Sequence, residues 1–171
     1  MISVTGIRRA AVISAVWAWL TPGVAITDIV QPGEVAAGDK FEVAVRAMVD
    51  ADSVKTAGGE GSLILAVAVP PGWEISGVIA DAGGKTKLAA REGLALPAPA
   101  PEGEAWRLFA TPKAVKVGAY VGRALEFLLR VQTSRTPGDY YLAYAAGISQ
   151  GEGVSWGRRE DGAAGRWLVV K

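Results

Sequence analysis

The stretch LEFLLRVQTSRTPGDYYLAYAAGI, residues 125–148, decides the fold class of this chain. Across its first eight residues, large apolar side chains occupy every second position, which is the period of a β-strand with one buried face. The turn-forming residues at 136–139 (TPGD) end that strand, and the apolar run at 140–148 supplies the next one. The alternation predicts an inward set of Leu125, Phe127, Leu129 and Val131 and an outward set of Glu126, Leu128, Arg130 and Gln132.

Similar strands are predicted along most of the chain. Their ranges are 26–30, 41–49, 62–69, 73–80, 106–111 and 166–170, separated by residues that favour turns. Residues 88–96 fit either a short strand or one helical turn. No long segment has the period of a helix, and no repeat has the length of a solenoid unit. We therefore expect an all-β protein, an immunoglobulin-like antiparallel β-sandwich of about seven or eight strands.

One predicted strand has no polar side. Residues 62–69 (SLILAVAV) are apolar on both faces, so the outer face of this strand needs a cover. The cover is either the chain itself or a partner subunit, because continuous exposed apolar patches usually mark contacts. The run at 97–101 (PAPAP) is expected to be an extended surface crossing between sheets, since proline fixes φ and lacks an amide hydrogen.

Size, charge and composition exclude several classes of function. The 171 residues leave room for one domain with a hydrophobic core. The 18 basic and 17 acidic residues nearly cancel, so we do not expect binding to nucleic acid. Histidine and cysteine are both absent from the sequence, which removes imidazole catalysis, thiolate nucleophiles, iron–sulfur clusters and disulfides. We predict that the protein is not an enzyme and has no catalytic residues, no metal site and no cofactor.

The first 25 residues have the layout of a secretory signal. Arg8 and Arg9 precede an apolar run at 10–20, and the small residues Gly23 and Ala25 suit a cut after Ala25. The run is too short for the roughly 20 residues of a transmembrane helix. We expect a signal peptide at 1–25, one β-sandwich domain at 26–171 and no membrane span in the mature chain. The predicted location is extracellular, cell-surface or periplasmic, and the alternative is that the segment is a buried helix or an uncleaved anchor.

Several short motifs resemble those of immunoglobulin-like and fibronectin-like modules on exported prokaryotic proteins. The residues at 138–144 (GDYYLAY) look like the corner at which a tyrosine of such sandwiches is tied to nearby backbone. The opening residues 30–41 and the Pro71-Gly72-Trp73 motif after a strand are also similar to those modules. The resemblance is generic: it implies the fold and a surface location, and it names no ligand. Unlike antibody domains, this chain lacks the cysteine pair between the sheets.

The candidate site is the segment that joins the last two predicted strands. Trp156 and Trp167 flank it and offer flat aromatic faces to a sugar ring or a partner. The polar residues between them, which offer hydrogen bonds, are Arg158, Arg159, Glu160 and Asp161. The alternative interpretation is a solvated hairpin tip whose two tryptophans pack on the sheet edge. The other two tryptophans of the mature chain, Trp73 and Trp106, are expected in the core or at its rim.

These observations lead to one main functional hypothesis and one alternative. We expect a non-enzymatic exported module that builds or binds, with a protein partner or self-assembly at the cell surface. One version is strand exchange, in which residues 26–35 complete a neighbouring subunit and produce a filament. The alternative is a carbohydrate-binding module that uses Trp156 and Trp167. No sequence pattern pairs the acidic loop residues as a hydrolase would require.

Overall fold

The computed structural model describes residues 24–49, 59–150, 153–157 and 164–171. Within them the chain forms thirteen strands and one short 3-10 helix, Val117–Tyr120. The strands are β1 (Val24–Val30), β2 (Glu34–Val35), β3 (Lys40–Val49), β4 (Glu60–Val69), β5 (Glu74–Asp81), β6 (Lys85–Lys87), β7 (Ala89–Arg91), β8 (Ala105–Ala110), β9 (Val115–Lys116), β10 (Ala124–Gln132), β11 (Gly138–Gln150), β12 (Gly153–Trp156) and β13 (Ala164–Val170).

The strands form two sheets packed face to face. The smaller sheet has the order β1-β3-β10-β5-β6, and the larger has the order β2-β13-β11-β4-β8-β7, with β12 beside β11 and β9 beside β4. Pairing between strands is antiparallel except for the short β2–β13 pair. The neighbours β1-β3-β10-β5 match the A-B-E-D order of an immunoglobulin-type sandwich, and β13-β11-β4 match G-F-C. The expected fold class is therefore confirmed.

All eight strands predicted from the sequence are present. The other five strands are two to four residues long, which is too short to show a period of two in the sequence. Several of them belong to an insertion between β5 and β10, which leaves the smaller sheet after β6 and joins the larger sheet through β7 and β8. Residues 88–96 accordingly contain the short strand β7 and no helical turn.

The core lies between the sheets, where the alternation of β10 places its inward residues. Phe127 and Val131 are fully buried, and Leu125 and Leu129 are nearly so, whereas Arg130 is exposed. Trp73, just before β5, is 1% exposed and belongs to the same core. Burial of these apolar side chains is the main favourable term for the sandwich.

The outer face of β4 is covered by the chain itself. Ile64 and Ala66 are fully buried in a second apolar cluster, together with Leu108, Ala110 and Ala145. Leu94, Trp106, Val154 and Trp156 pack against that cluster.

Residues 92–104, which include the proline-rich run, follow β7 and lead into β8. Two indole N–H groups donate hydrogen bonds to carbonyls of this segment. Trp106 Nε1 donates to the Ala98 carbonyl at 2.8 Å, and Trp156 Nε1 donates to the Ala95 carbonyl at 3.0 Å. A partner subunit is therefore not needed to bury this face.

The corner before β11 has the tyrosine bond that the sequence motif implied. The Tyr140 hydroxyl donates to the Thr136 carbonyl at 3.1 Å, four residues earlier in the chain. Its ring contacts Trp73 edge to face, with 5.0 Å between ring centroids. Tyr140 thus ties the turn to its own backbone and to the core.

The described structure begins at Val24, within the predicted signal peptide. Val24 is 1% exposed and pairs with Val49 at the start of β1. Residues 1–23, with the predicted basic and apolar regions of the signal, lie outside the described residues, and a cut after Ala25 remains a prediction. Within the described residues, no helix has the combination of length and apolar character that crossing a bilayer requires.

Candidate functional site

Trp156 and Trp167 lie on the same outer face of the larger sheet but at different ends of it. Both pair with the long strand β11, Trp156 opposite Gly147 and Trp167 opposite Tyr141. These two positions of β11 are six residues apart in the register, which corresponds to about 20 Å along a strand. The structure therefore does not bring the two tryptophans together. The four polar site candidates, Arg158, Arg159, Glu160 and Asp161, lie outside the described residues.

Trp156 is held against the sheet. A Cβ added at Gly147 would lie 2.8 Å from the indole ring, so the absence of a side chain there makes room for the ring. The indole N–H donates to the Ala95 carbonyl at 3.0 Å. The sequence placed Trp156 at the start of a loop, but it ends the short strand β12. Its ring contributes to the cover of the second apolar cluster.

Trp167 is exposed and has a different aromatic partner. Its side chain is 65% exposed, and its ring contacts Tyr141 edge to face at 5.3 Å between centroids. The Tyr141 ring in turn lies over Gly165, where an added Cβ would approach it to 2.5 Å. This pair forms a supported aromatic surface, which can pack against a sugar ring or an apolar side chain.

Glu104, immediately before β8, is the acidic residue with the most unusual environment. Its Oε2 atom is buried and is the one buried side-chain oxygen or nitrogen without a hydrogen-bond partner in the described part of the chain. Burial raises the pKa of this carboxyl to about 7. Burial, and then the negative charge of Glu104, also raises the pKa of Tyr144, whose hydroxyl donates to Gln31 at 2.7 Å. A clustered metal site is not found: the described residues contain no group of three or more acidic or other metal-ligating side chains.

The outer face of the smaller sheet has an apolar row that the sequence analysis did not identify. Val30, Ala44, Leu128 and Ile79 occupy matched positions on the neighbouring strands β1, β3, β10 and β5. We call these four residues the cross-strand stripe. They line an open groove of about 500 Å³, and Val30 is 48% exposed.

Charged residues border the cross-strand stripe on both sides. On one side Arg130 Nε lies 3.1 Å from Glu42. On the other side the Arg46 guanidinium forms ion pairs with Asp28 at 3.3 Å and with Glu126 at 3.0 Å. The stripe is therefore an apolar centre between two polar rims. Ala44 and Leu128 are visible in the sequence as apolar residues between charged outward positions, but only the strand register places all four members in one row.

Comparisons with known proteins do not assign a family. No family model matches this chain, and none of the curated proteins matches it in sequence. A solved structure of AvmM, described as catalysing macrocyclization in alchivemycin A biosynthesis, aligns over 88% of both chains with a TM-score of 0.48 and 9% identity. A structure of BcpA, the major pilin subunit of Bacillus cereus, aligns over 84% of this chain and 39% of its own with a TM-score of 0.44 and 9% identity. With both TM-scores below 0.5, neither likeness bears on function.

Proposed function

We propose that the protein is an exported, non-enzymatic structural module that assembles with copies of itself through the cross-strand stripe. The observation that carries this proposal is the exposed apolar row with charged residues on both sides. An apolar centre with a polar rim is the usual anatomy of a protein interface. Export is proposed from the basic and apolar layout of the first 25 residues.

The charges of the rim favour a second copy as the partner. Around the stripe the acids Asp28, Glu42 and Glu126 are matched by the bases Arg46, Arg130 and Lys85, and Lys85 itself lines the groove. A balanced rim is self-complementary, because each acid of one copy can face a base of another in a two-fold arrangement. Stripe-to-stripe pairing gives a dimer, and larger assemblies need a second contact surface.

Light scattering of the protein over a concentration series tests this proposal. We expect the mass to rise with concentration to at least a dimer, and Val30→Asp to lower the association constant about ten-fold or more because it buries a carboxylate in the apolar centre. Leu96→Asp is the matched control, since Leu96 is also an exposed apolar residue, at 57%, but lies outside the stripe. A wild-type protein that stays monomeric would contradict the proposal, and so would equal effects of the two substitutions.

Carbohydrate binding is the second candidate, and the exposed Trp167–Tyr141 pair favours it. A sugar ring on this surface would change tryptophan fluorescence, so wild-type protein is titrated with soluble xylan, laminarin and chitin oligomers. We expect any such change to disappear in Trp167→Ala and to persist in Trp156→Phe. Loss of the change in Trp156→Phe alone would exclude the Trp167–Tyr141 surface as the binding site.

A further inference from the structure

Two apolar features lie side by side on the outer face of the larger sheet. One is the Trp167–Tyr141 pair, on the neighbouring strands β13 and β11. The other is the proline-rich run of residues 97–101, which belongs to the segment that covers β4 and β8. The first feature offers flat aromatic rings, and the second offers the compact apolar rings of proline.

The strand register gives the positions of the two features relative to each other. The Trp106 indole donates to the Ala98 carbonyl in the proline-rich run. Trp106 pairs with Ala68 of β4, which pairs with Ala143 of β11. Ala143 is two residues from Tyr141, or about 7 Å along the strand, and β13 and β8 are three places apart in the sheet, or about 14 Å. The two features therefore lie at nearly the same level along the strands.

The proline-rich run is held in place and presents a proline to solvent. Hydrogen bonds from two indole groups fix the carbonyls of Ala95 and Ala98. Pro99 is exposed, whereas Pro97 and Pro101 are partly buried. A segment fixed in this way loses little conformational entropy when it binds, and proline-rich segments dock against aromatic side chains. Pro99 is therefore suited to pack on an exposed aromatic pair.

The charges beside the two features are opposite. Arg166, which precedes Trp167, is exposed, and its guanidinium donates to the Gly165 carbonyl at 3.0 Å, next to the aromatic pair. Glu102, which follows the proline-rich run, is exposed as well. Within the described part of the chain, neither of these two charged side chains forms an ion pair. The aromatic pair thus has a base beside it, and the proline-rich run has an acid.

We propose that the Trp167–Tyr141 pair of one copy binds the proline-rich run of a second copy, and that the second copy makes the same contact in return. Because both features lie on one face at nearly the same level, a two-fold axis parallel to the strands brings each aromatic pair onto the other copy's prolines. Arg166 of each copy then faces Glu102 of the other. The interface contains its central contact twice, with opposite charges beside each.

This contact deepens the proposed self-assembly, because it supplies the second surface that assemblies larger than a dimer need. The cross-strand stripe lies on the outer face of the smaller sheet, on the opposite side of the sandwich. Two self-complementary contacts on opposite sides join copies into a chain. Such a chain rests on the proposed stripe contact, whereas the new contact does not. Leu96 lines the groove beside β7 and lies outside both contacts.

Sedimentation velocity of the Val30→Asp variant over a concentration series tests the new contact without the stripe. We expect this variant to form a dimer and nothing larger, and the wild type to exceed a dimer at the same concentration. Addition of Trp167→Ala or Pro99→Ser should weaken the Val30→Asp dimer about ten-fold or more, since each removes a ring from the centre of the contact. Pro112→Ser is the matched control, because Pro112 is exposed but follows the opposite end of β8, and it should leave the dimer unchanged.

A charge exchange gives the sharper test. In the Val30→Asp background, Glu102→Arg and Arg166→Glu should each weaken the dimer about three-fold or more, because each places like charges opposite one another at two points of the interface. The chain with both substitutions keeps opposite charges at these points and should dimerise within about two-fold of Val30→Asp. A variant that merely disturbs folding would not be rescued by the second substitution.

Several results would overturn the proposal. They are a Val30→Asp variant that stays monomeric up to about 1 mM, equal effects of Pro99→Ser and Pro112→Ser, and a charge exchange that does not restore the dimer. A sugar that binds the Trp167–Tyr141 pair without dissociating the Val30→Asp dimer would overturn it as well. Failure of the stripe looks different, because Val30→Asp would then associate as strongly as the wild type.

Discussion

At the scale of single residues, Glu104 is the group whose environment has the clearest consequence for stability. Its buried Oε2 has no hydrogen-bond partner, and burial raises the pKa of the carboxyl to about 7 from an ordinary value of 4.5. Between these two pH values the native state holds a proton that the unfolded state has released. The contribution of this group to the free energy of unfolding is therefore fully present below about pH 4.5 and is lost as the pH rises through about 7.

Replacing the carboxyl by a neutral amide should remove this pH dependence. We expect Glu104→Gln to be more stable than wild type at pH 8, by on the order of 1 kcal/mol after allowance for solvent screening, and nearly equal to it at pH 4.5. Urea unfolding at both pH values measures the difference. The control is Glu102→Gln at an exposed carboxylate two residues away. An equal gain in the free energy of unfolding for Glu104→Gln and Glu102→Gln, or a gain for Glu104→Gln at pH 4.5, would contradict the raised pKa of Glu104.

Gly157 is a second residue with a specific role, because it makes room for the first strand. A Cβ added there would lie 1.7 Å from the Val24 carbonyl oxygen, and the Gly157 amide donates to the Ala146 carbonyl at 2.9 Å. The Val24 backbone cannot move away without losing its pairing with Val49, and the Gly157 backbone cannot move away without losing its hydrogen bond to Ala146. The glycine therefore fixes how closely the residues after β12 approach β1.

Gly157→Ala should destabilise the protein by about 2 kcal/mol or more, as expected for a steric conflict with backbone. Thermal and urea unfolding measure the loss. Gly33→Ala is the matched control, since a Cβ at Gly33 meets nothing within 4 Å, and it should change stability by less than about 0.5 kcal/mol. A small loss for Gly157→Ala would show that β1 does not lie against Gly157 in solution.

At the scale of elements, the long strand β11 organises the larger sheet. It pairs with β4 along one edge, and along the other edge first with β13 and then with β12. The outer face it shares with β4 is built from small residues, including Ala66, Ala68, Ala143 and Ala145. Because these side chains are small, residues 94–98 can lie close to the outer face of the sheet. Their carbonyls then accept the two hydrogen bonds from the indole groups of Trp106 and Trp156.

Residues 92–104, which cover this face, should be held less firmly when the hydrogen bond from the Trp156 indole to the Ala95 carbonyl is removed. Trp156→Phe keeps an aromatic ring on Gly147 but loses the donor to the Ala95 carbonyl, so we expect a loss of about 1 kcal/mol and faster amide exchange in residues 92–104. Trp167→Phe makes the same chemical change at an exposed position of the same face and should have little effect. If amide exchange in residues 92–104 is equally fast in the two variants, the hydrogen bond from the Trp156 indole does not hold this segment against the sheet.

At the scale of the whole molecule, the sandwich is joined by contacts between distant parts of the chain. Strand β3 pairs with β10 and β4 pairs with β11, and each pairing spans about half of the sequence. Closing such long loops before the contacts form makes folding slow. The molecule therefore depends on non-local pairing far more than on local propensity.

Refolding kinetics test this property. From urea, the protein should refold over milliseconds to seconds, in the range of other all-β sandwiches, and stopped-flow tryptophan fluorescence follows it because Trp73 is buried in the core. Completion of refolding within the first millisecond would contradict the non-local topology.

The sequence by itself determined the eight longer strands and the inward faces of the sandwich. Alternation marked Phe127 and its neighbours as core, and the turn-forming residues before Tyr140 marked the break between β10 and β11. These features follow from local physics, because the period of two and the chemistry of turns are properties of short segments. The same physics could not detect two-residue strands such as β2 and β9.

Only the tertiary structure decided which surface residues meet. Trp156 and Trp167, eleven positions apart in the sequence, lie at separate ends of one face, whereas Val30, Ala44, Leu128 and Ile79 form a row across four strands. The cover of β4 likewise comes from distant parts of the chain, since Leu94 lies about thirty positions after this strand and Trp156 about ninety. Strand register and strand order set these neighbours, and both depend on pairings between distant segments that no local pattern encodes.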